Sequence, residues 1–191
     1  MQYFSRFQRA LREILRPYIQ RPTKQTYLHT VYVLLGLVAL VVLVRMNAPR
    51  PGTTSFIEYY DTTLADYGGN KVLFENYKQH PIIVFFWASW CPYCKAELIH
   101  LGEVKTKYGD HVQILAVNRG ESLGEAKAFS DAVVLPKGVV LLLDPSDELF
   151  KQLKGYAVPE TIFVNSRGEE VVHQHGPMKP EEVDQAVLQI L

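Results

Sequence analysis

The sequence predicts an α/β domain, with a central mixed β-sheet flanked by helices, preceded by one N-terminal transmembrane helix. Three observations carry that expectation. Val31–Val44 is an unbroken apolar stretch, VYVLLGLVALVVLV, inside a segment from Gln25 to Val44 that has no charged side chain. Ile82–Trp87 is an apolar run of strand length, and helical spacing follows it. Downstream, strand-length runs alternate with helix-like segments, the order that produces parallel strands joined by a crossover.

Twenty helical residues rise about 30 Å, the thickness of a bilayer core, so residues 26–45 are expected to span a membrane. A cleaved signal peptide has a shorter apolar region followed by small residues, and Val44-Arg45-Met46-Asn47-Ala48 offers no such site. Arg6, Arg9, Arg12, Arg16, Arg21 and Lys24 precede the span against a single Glu13. That bias keeps the N-terminus cytoplasmic and sends the C-terminal domain across the inner membrane, into the periplasm or onto the outer face. Phe4, Phe7, Leu11, Ile14, Leu15 and Tyr18 share one helical face, as in a pre-anchor helix or one lying at the interface.

The formal charge of zero hides an uneven distribution. Residues 1–50 carry eight Lys or Arg and one Glu, whereas the remainder carries twelve basic and nineteen acidic residues. A basic segment beside an apolar run points to anionic lipid rather than nucleic acid. The expected organisation is a basic cytoplasmic segment at 1–25, the span at 26–45, a linker at 46–55 with Pro49, Pro51 and Gly52, and the domain at 56–191.

Within the domain, Ile82–Trp87 reads as a strand buried on both faces. Pro92 to about Tyr108 reads as the following helix, with Leu98, Leu101 and Val104 inward. Val112–Val117 is the next strand, and Ser122 caps a helix over Ser122–Asp131. Val139–Leu143 is a strand and Pro145–Leu153 a short helix. Thr161–Val164 and Glu170–His173, joined through Asn165-Ser166-Arg167-Gly168, suggest an antiparallel hairpin, and Pro180–Leu191 closes with an amphipathic helix.

The chain has two cysteines, Cys91 and Cys94, separated by Pro92 and Tyr93 at this strand-to-helix junction. Such a pair closes a small disulfide, and unpaired N–H groups at a helix start stabilise a thiolate there. Cys91 is the expected attacking nucleophile, with its sulfur exposed, and Cys94 the resolving thiol one turn inward. A zinc site would need two more ligands, and His100, His173 or His175 would supply them only in an unusual mixed site. No metal or organic cofactor is required for exchange.

These elements stand in the thioredoxin order, and the sequence resembles the membrane-anchored thioredoxin-like proteins of the TlpA, ResA and CcmG type over roughly residues 60–190. The resemblance rests on FFWASWCPYCKAEL at 85–98, AVNRGES at 116–122 and VPETIFVNSRG at 158–168. It implies that Pro159 is a cis-proline facing the cysteines, that Trp90 forms an apolar wall beside Cys91, that Tyr93 lies on the exposed turn, and that Glu97 is the active-site acid. Glu160 matches the P-E-T of the cytochrome-maturation branch, where it would contact substrate or tune the cysteines. Phe85 stands where thioredoxin has a buried aspartate, and the stretch between Ser122 and Val139 is short for the family.

The implied activity is thiol-disulfide exchange outside the cytoplasm. Its direction would be reduction of cysteine-containing client proteins such as apocytochrome c, with recharging by a membrane electron donor. The Pro-Tyr dipeptide is also typical of glutaredoxins, which keeps a disulfide oxidase or isomerase open, where the membrane partner would be an electron acceptor. A non-enzymatic binding or assembly module is the alternative of a different class.

Overall fold

A computed structural model of the chain describes residues 24–47, 54–133, 135 and 137–191. The pre-anchor helix expected at 4–18 lies outside the described residues, as does the Pro- and Gly-rich stretch at 48–53. The chain divides into two units, Met1–Pro49 and Arg50–Leu191.

In the first unit, helix α1 runs over Lys24–Asn47. Its segment Tyr27–Arg45 is long and apolar enough to cross a membrane. Tyr32, Val33, Leu34, Leu35, Val38 and Leu40 are all exposed and are distributed around the axis, so apolar side chains surround the helix instead of forming one stripe.

The second unit is built on an eight-stranded sheet: β1 (Thr54–Ser55), β2 (Thr63–Asp66), β3 (Lys71–Leu73), β4 (Ile82–Trp87), β5 (Gln113–Arg119), β6 (Val139–Asp144), β7 (Glu160–Val164) and β8 (Glu169–His175). Their order across the sheet is β1-β8-β7-β4-β5-β6-β2-β3. β4, β5 and β6 are parallel, and the remaining pairings are antiparallel, which gives the expected mixed sheet. The helices are α2 (Cys94–Tyr108), α3 (Leu123–Ser130), α4 (Glu148–Gln152) and α5 (Pro180–Ile190).

β4 is central, and every one of its side chains is buried. Because successive strand residues point to opposite faces, Ile83, Phe85 and Trp87 meet Leu98, Leu101 and Val104 of α2 together with Val183, Val187 and Ile190 of α5. Ile82, Val84 and Phe86 join the opposite core, with Phe56, Phe74, Leu149 and Phe150. The continuous apolar run in the sequence thus serves two cores at once. Short devices fix the ends of elements: Ser122 and Glu125 form a capping box on α3, and the Asp144 carboxylate accepts the N–H groups of Glu148 and Phe150 at the start of α4.

Several boundaries differ from the sequence expectations. α2 begins at Cys94, two residues after Pro92, and its first N–H, which has no carbonyl partner within the helix, bonds to the Cys91 sulfur. β8 continues to His175, where the sequence suggests an end at His173. Of the stretch expected as a linker, Met46–Asn47 belongs to α1 and Thr54–Ser55 to β1, which pairs with Glu169 and Glu170. The β2–β3 hairpin also lacks a counterpart in the sequence reading. It is held by Asp66, whose side chain accepts the N–H groups of Gly68 and Asn70.

Candidate functional site

The two cysteines sit where β4 hands over to α2, and they are joined in a disulfide. A turn in which the Cys91 N–H donates to the Ala88 carbonyl at 3.1 Å brings Cys91 back beneath the start of α2. There the Cys94 N–H, the first of the helix, donates to the Cys91 Sγ at 3.1 Å. A helix-terminal donor is thereby aimed at the first sulfur of the pair. Both residues are buried, Cys91 with 2% exposure and Cys94 with none. The open first sulfur expected from the sequence is, in the disulfide form, a narrow sliver of surface, because Cys91 is folded into the core cluster behind α2. Trp90 and Tyr93, on either side of it in the chain, are exposed at 65% and 60% and give the rim an aromatic surface; Pro92 between the cysteines is exposed as well.

Glu97 lies on the first turn of α2 and is buried at 4% exposure. The Thr161 hydroxyl donates to its Oε1 at 2.6 Å, and the Met178 N–H donates to its Oε2 at 3.2 Å. Burial lifts the carboxyl above its ordinary pKa, against the pull of these two hydrogen bonds and of His100. A pocket of 130 Å³ runs along this flank, lined by Tyr93, Ala96, Glu97, His100, Met178 and Val183. Phe85 pairs with Thr161 across the ladder, so the strand that lacks an acid faces the residue that holds the acid of the helix.

The Val158–Pro159 peptide bond is cis and leads directly into β7. Pro159 is buried, and its carbonyl accepts the Gly176 N–H at 2.9 Å. The next two residues diverge. Thr161 turns toward Glu97, whereas Glu160, without any exposed surface, turns to the other face of the sheet. There His173 Nε2 donates to Glu160 Oε1 at 2.7 Å, His175 Nδ1 lies 3.0 Å from Oε2, and the Tyr156 N–H donates to Oε2 at 3.3 Å. The His175 contact is close enough for charge pairing but off the line of a hydrogen bond, which leaves that buried nitrogen without a proper partner. Burial pushes Glu160 up, but the two histidines outweigh it and hold the carboxyl below its ordinary value. Burial pushes His173 down, yet Glu160 and Glu170 raise it to about 9. A surface contact from Glu160 to a bound chain is therefore not what the fold provides.

Glu121 is a site residue that the sequence reading passes over. Its carboxylate accepts from the Ser89 N–H at 2.8 Å and from Asn118 Nδ2 at 2.6 Å, and it also accepts the Ser89 hydroxyl. It thus pins the segment just before Cys91 to the end of β5. A larger cleft of 590 Å³, lined by Glu58, Asp61, Leu64, Asp144 and Gln152 among others, includes none of these residues.

The model of the AhpC/TSA family matches residues 58–173. The chain belongs to the AhpC/TSA family. Within it, the chain is similar to the thiol-disulfide oxidoreductase ResA of Geobacillus kaustophilus, with 26% identity over 125 residues, 65% of this chain and 71% of that protein. It is also similar to the sporulation thiol-disulfide oxidoreductase A of Bacillus subtilis, 30% identical over 108 residues, 56% of this chain and 66% of that one. Among solved structures, a secreted Mycobacterium tuberculosis disulfide oxidoreductase homologous to E. coli DsbE superposes with a TM-score of 0.63. Its identity is 20%, it covers 69% of this chain and 98% of that chain, and the likeness is one of fold. A disulfide-forming pair in a thioredoxin-like AhpC/TSA domain, related to ResA- and DsbE-type proteins, makes this chain a thiol-disulfide oxidoreductase.

Proposed function

We propose that the protein is a membrane-anchored reductase of client-protein disulfides, working on the extracytoplasmic side with Cys91 as nucleophile and Cys94 as resolving thiol. The observation that carries the assignment of roles is the Cys94 N–H aimed at the Cys91 sulfur. A hydrogen bond and the helix dipole at that atom favour its anion over the neutral thiol.

In the reduced domain, the Cys91 thiolate attacks one sulfur of a client disulfide, and the other client sulfur leaves as a thiolate that takes up a proton. Cys94 then loses its proton and attacks Cys91 in the mixed disulfide. The second client sulfur leaves as a thiol, and the domain retains the Cys91–Cys94 disulfide. Two electrons have passed to the client, and a membrane dithiol donor restores them by the same exchange in reverse. Glu97, one helical turn beyond Cys94 and raised in pKa by burial, accepts the Cys94 proton and returns it on recharging. An extended client segment would lie against Val158 and the cis-proline, with Trp90, Pro92 and Tyr93 as the apolar rim.

The anchor is proposed from α1, whose apolar side chains face outward all round, as lipid contact requires and water does not favour. The arginines ahead of it support a cytoplasmic N-terminus. Apocytochrome c is the proposed client class through the resemblance at Pro159-Glu160-Thr161. Two measurements test the reading. Cys94→Ala should trap client proteins on Cys91 as mixed disulfides, which a binding module indifferent to loss of both thiols would not do. The pair should be mostly reduced in cells. A mostly oxidised pair that passes electrons to an oxidase would overturn the direction.

A further inference from the structure

We propose that Glu160, His173 and His175 form a binding site for a divalent transition-metal ion of the zinc class, on the face of the sheet opposite α2. Each residue offers one ligand atom, and these atoms all lie within 4.8 Å of one another. The arrangement follows from strand geometry. His173 and His175 are two apart on β8 and so share a face, and the β7–β8 ladder sets His175 directly across from Glu160.

Two imidazoles and one carboxylate are a donor set that zinc and its neighbours in the first transition row accept. Bonds of about 2.0 to 2.2 Å in a tetrahedron require donor atoms about 3.3 Å apart. His173 Nε2 lies 2.7 Å from Glu160 Oε1 and His175 Nδ1 lies 3.0 Å from Oε2, so the carboxylate already faces both imidazoles, one oxygen to each. The three ligand atoms, now within 4.8 Å of one another, reach that spacing by side-chain rotation alone. The surroundings also favour an ion over the present contacts. His175 Nδ1 is buried without a hydrogen-bond partner, and a metal would give it one. The Glu170 carboxylate lies 3.4 Å from His173 Nδ1, on the ring edge away from Glu160, where a second partner orients a ligating imidazole. On the outer side, the exposed Tyr156 ring stacks on His175 at 4.4 Å between centroids and holds that imidazole at the mouth of the site.

Neither cysteine takes part, which distinguishes this site from a mixed cysteine-histidine centre. It also allows a test with the thiols out of play. The full chain, solubilised in detergent with its disulfide intact, is titrated with Co²⁺ and followed by visible absorption; Zn²⁺ is then added with a colorimetric chelator as competitor. One Co²⁺ per chain, displaced by Zn²⁺, is expected. His173→Ala and His175→Phe should each weaken binding by about tenfold or more. The phenylalanine keeps a ring against Tyr156, and circular dichroism of both variants verifies that the fold survives. Failure of the oxidised chain to bind either ion at micromolar concentration would overturn the site. So would binding that both folded variants retain unchanged.

Discussion

Two buried carboxylates lie on opposite faces of the sheet near the cis-proline, and they are shifted in opposite directions. Glu97 reaches Thr161 on the side of α2, and Glu160, the residue before Thr161, reaches two histidines on the other side. Both are almost without exposed surface, at 4% and 0%. Burial alone would raise both. Glu97 receives a neutral hydroxyl and a backbone N–H and stays raised, whereas Glu160 receives two imidazoles and ends lowered. The identity of the partners, not the depth of burial, separates a carboxyl suited to carrying a proton from one suited to holding a positive charge.

The largest expected effect comes from breaking the histidine side. Glu160→Leu leaves His173, which Glu160 and Glu170 lift to about 9, without its shorter carboxylate contact in a part-buried position. Removal of one member of a buried pair costs about 3 to 5 kcal/mol. Urea denaturation of the detergent-solubilised chain, followed through its two tryptophans, would register the loss. A change below about 1 kcal/mol would mean that the pair is worth no more than one on the surface.

Glu97→Gln should act differently, with a smaller effect on stability and a larger one on chemistry. The amide can still accept from Thr161 but sets its NH₂ against the Met178 N–H, at about 1 to 3 kcal/mol. The raised pKa of Glu97 means that the fold favours its protonated form. That contribution is complete below the ordinary value of 4.5 and is lost as pH rises through the folded value. The glutamine variant should lack that part of the pH dependence of stability, and the limb it contributes to the pH profile of disulfide exchange should flatten. An unchanged profile would remove Glu97 from proton transfer.

Thr161→Val sharpens the contrast at one atom. It deletes the hydroxyl that pulls Glu97 down, so the carboxyl should titrate still higher, visible by NMR of a labelled side chain, at about 1 kcal/mol in stability. The smallest effect is expected at Glu121→Gln, which keeps an acceptor for Ser89 but loses charge-assisted bonds. Exchange should slow by a few-fold, from looser positioning of the segment before Cys91, with little change in unfolding.

Much of this was legible in the sequence, for identifiable reasons. β4 announces itself because it is buried on both faces, and α2 and α5 because their inward residues recur with helical spacing. The cysteine junction followed from where strand ends and helix begins, whereas the cis bond at Pro159 was implied only by the resemblance of its motif. The β2–β3 hairpin went unread because its side chains alternate between half-buried and exposed, with no strong apolar run; Asp66 followed by Gly68-Gly69-Asn70 was the available signal. Glu121 has partners three and thirty-two residues away, and nothing local marks the longer link. His173 and His175 were separated by an expected strand end at His173. The spacing of two was the clue that both belong to one face.

That same strand leaves a border of the sheet to be managed. β1 accompanies β8 only along Glu169 and Glu170, and among the described residues no strand lies on the outer side of its stretch from Val171 to His175, the side away from β7. An open border of this kind invites a foreign β-strand to zip on, the first step of fibril growth. Here the last turns of the ladder carry imidazoles and an inward carboxylate in place of a flat aliphatic surface. A newcomer would have to strip water from the half-buried His173 and His175 to dock, a cost that works against pairing along this border.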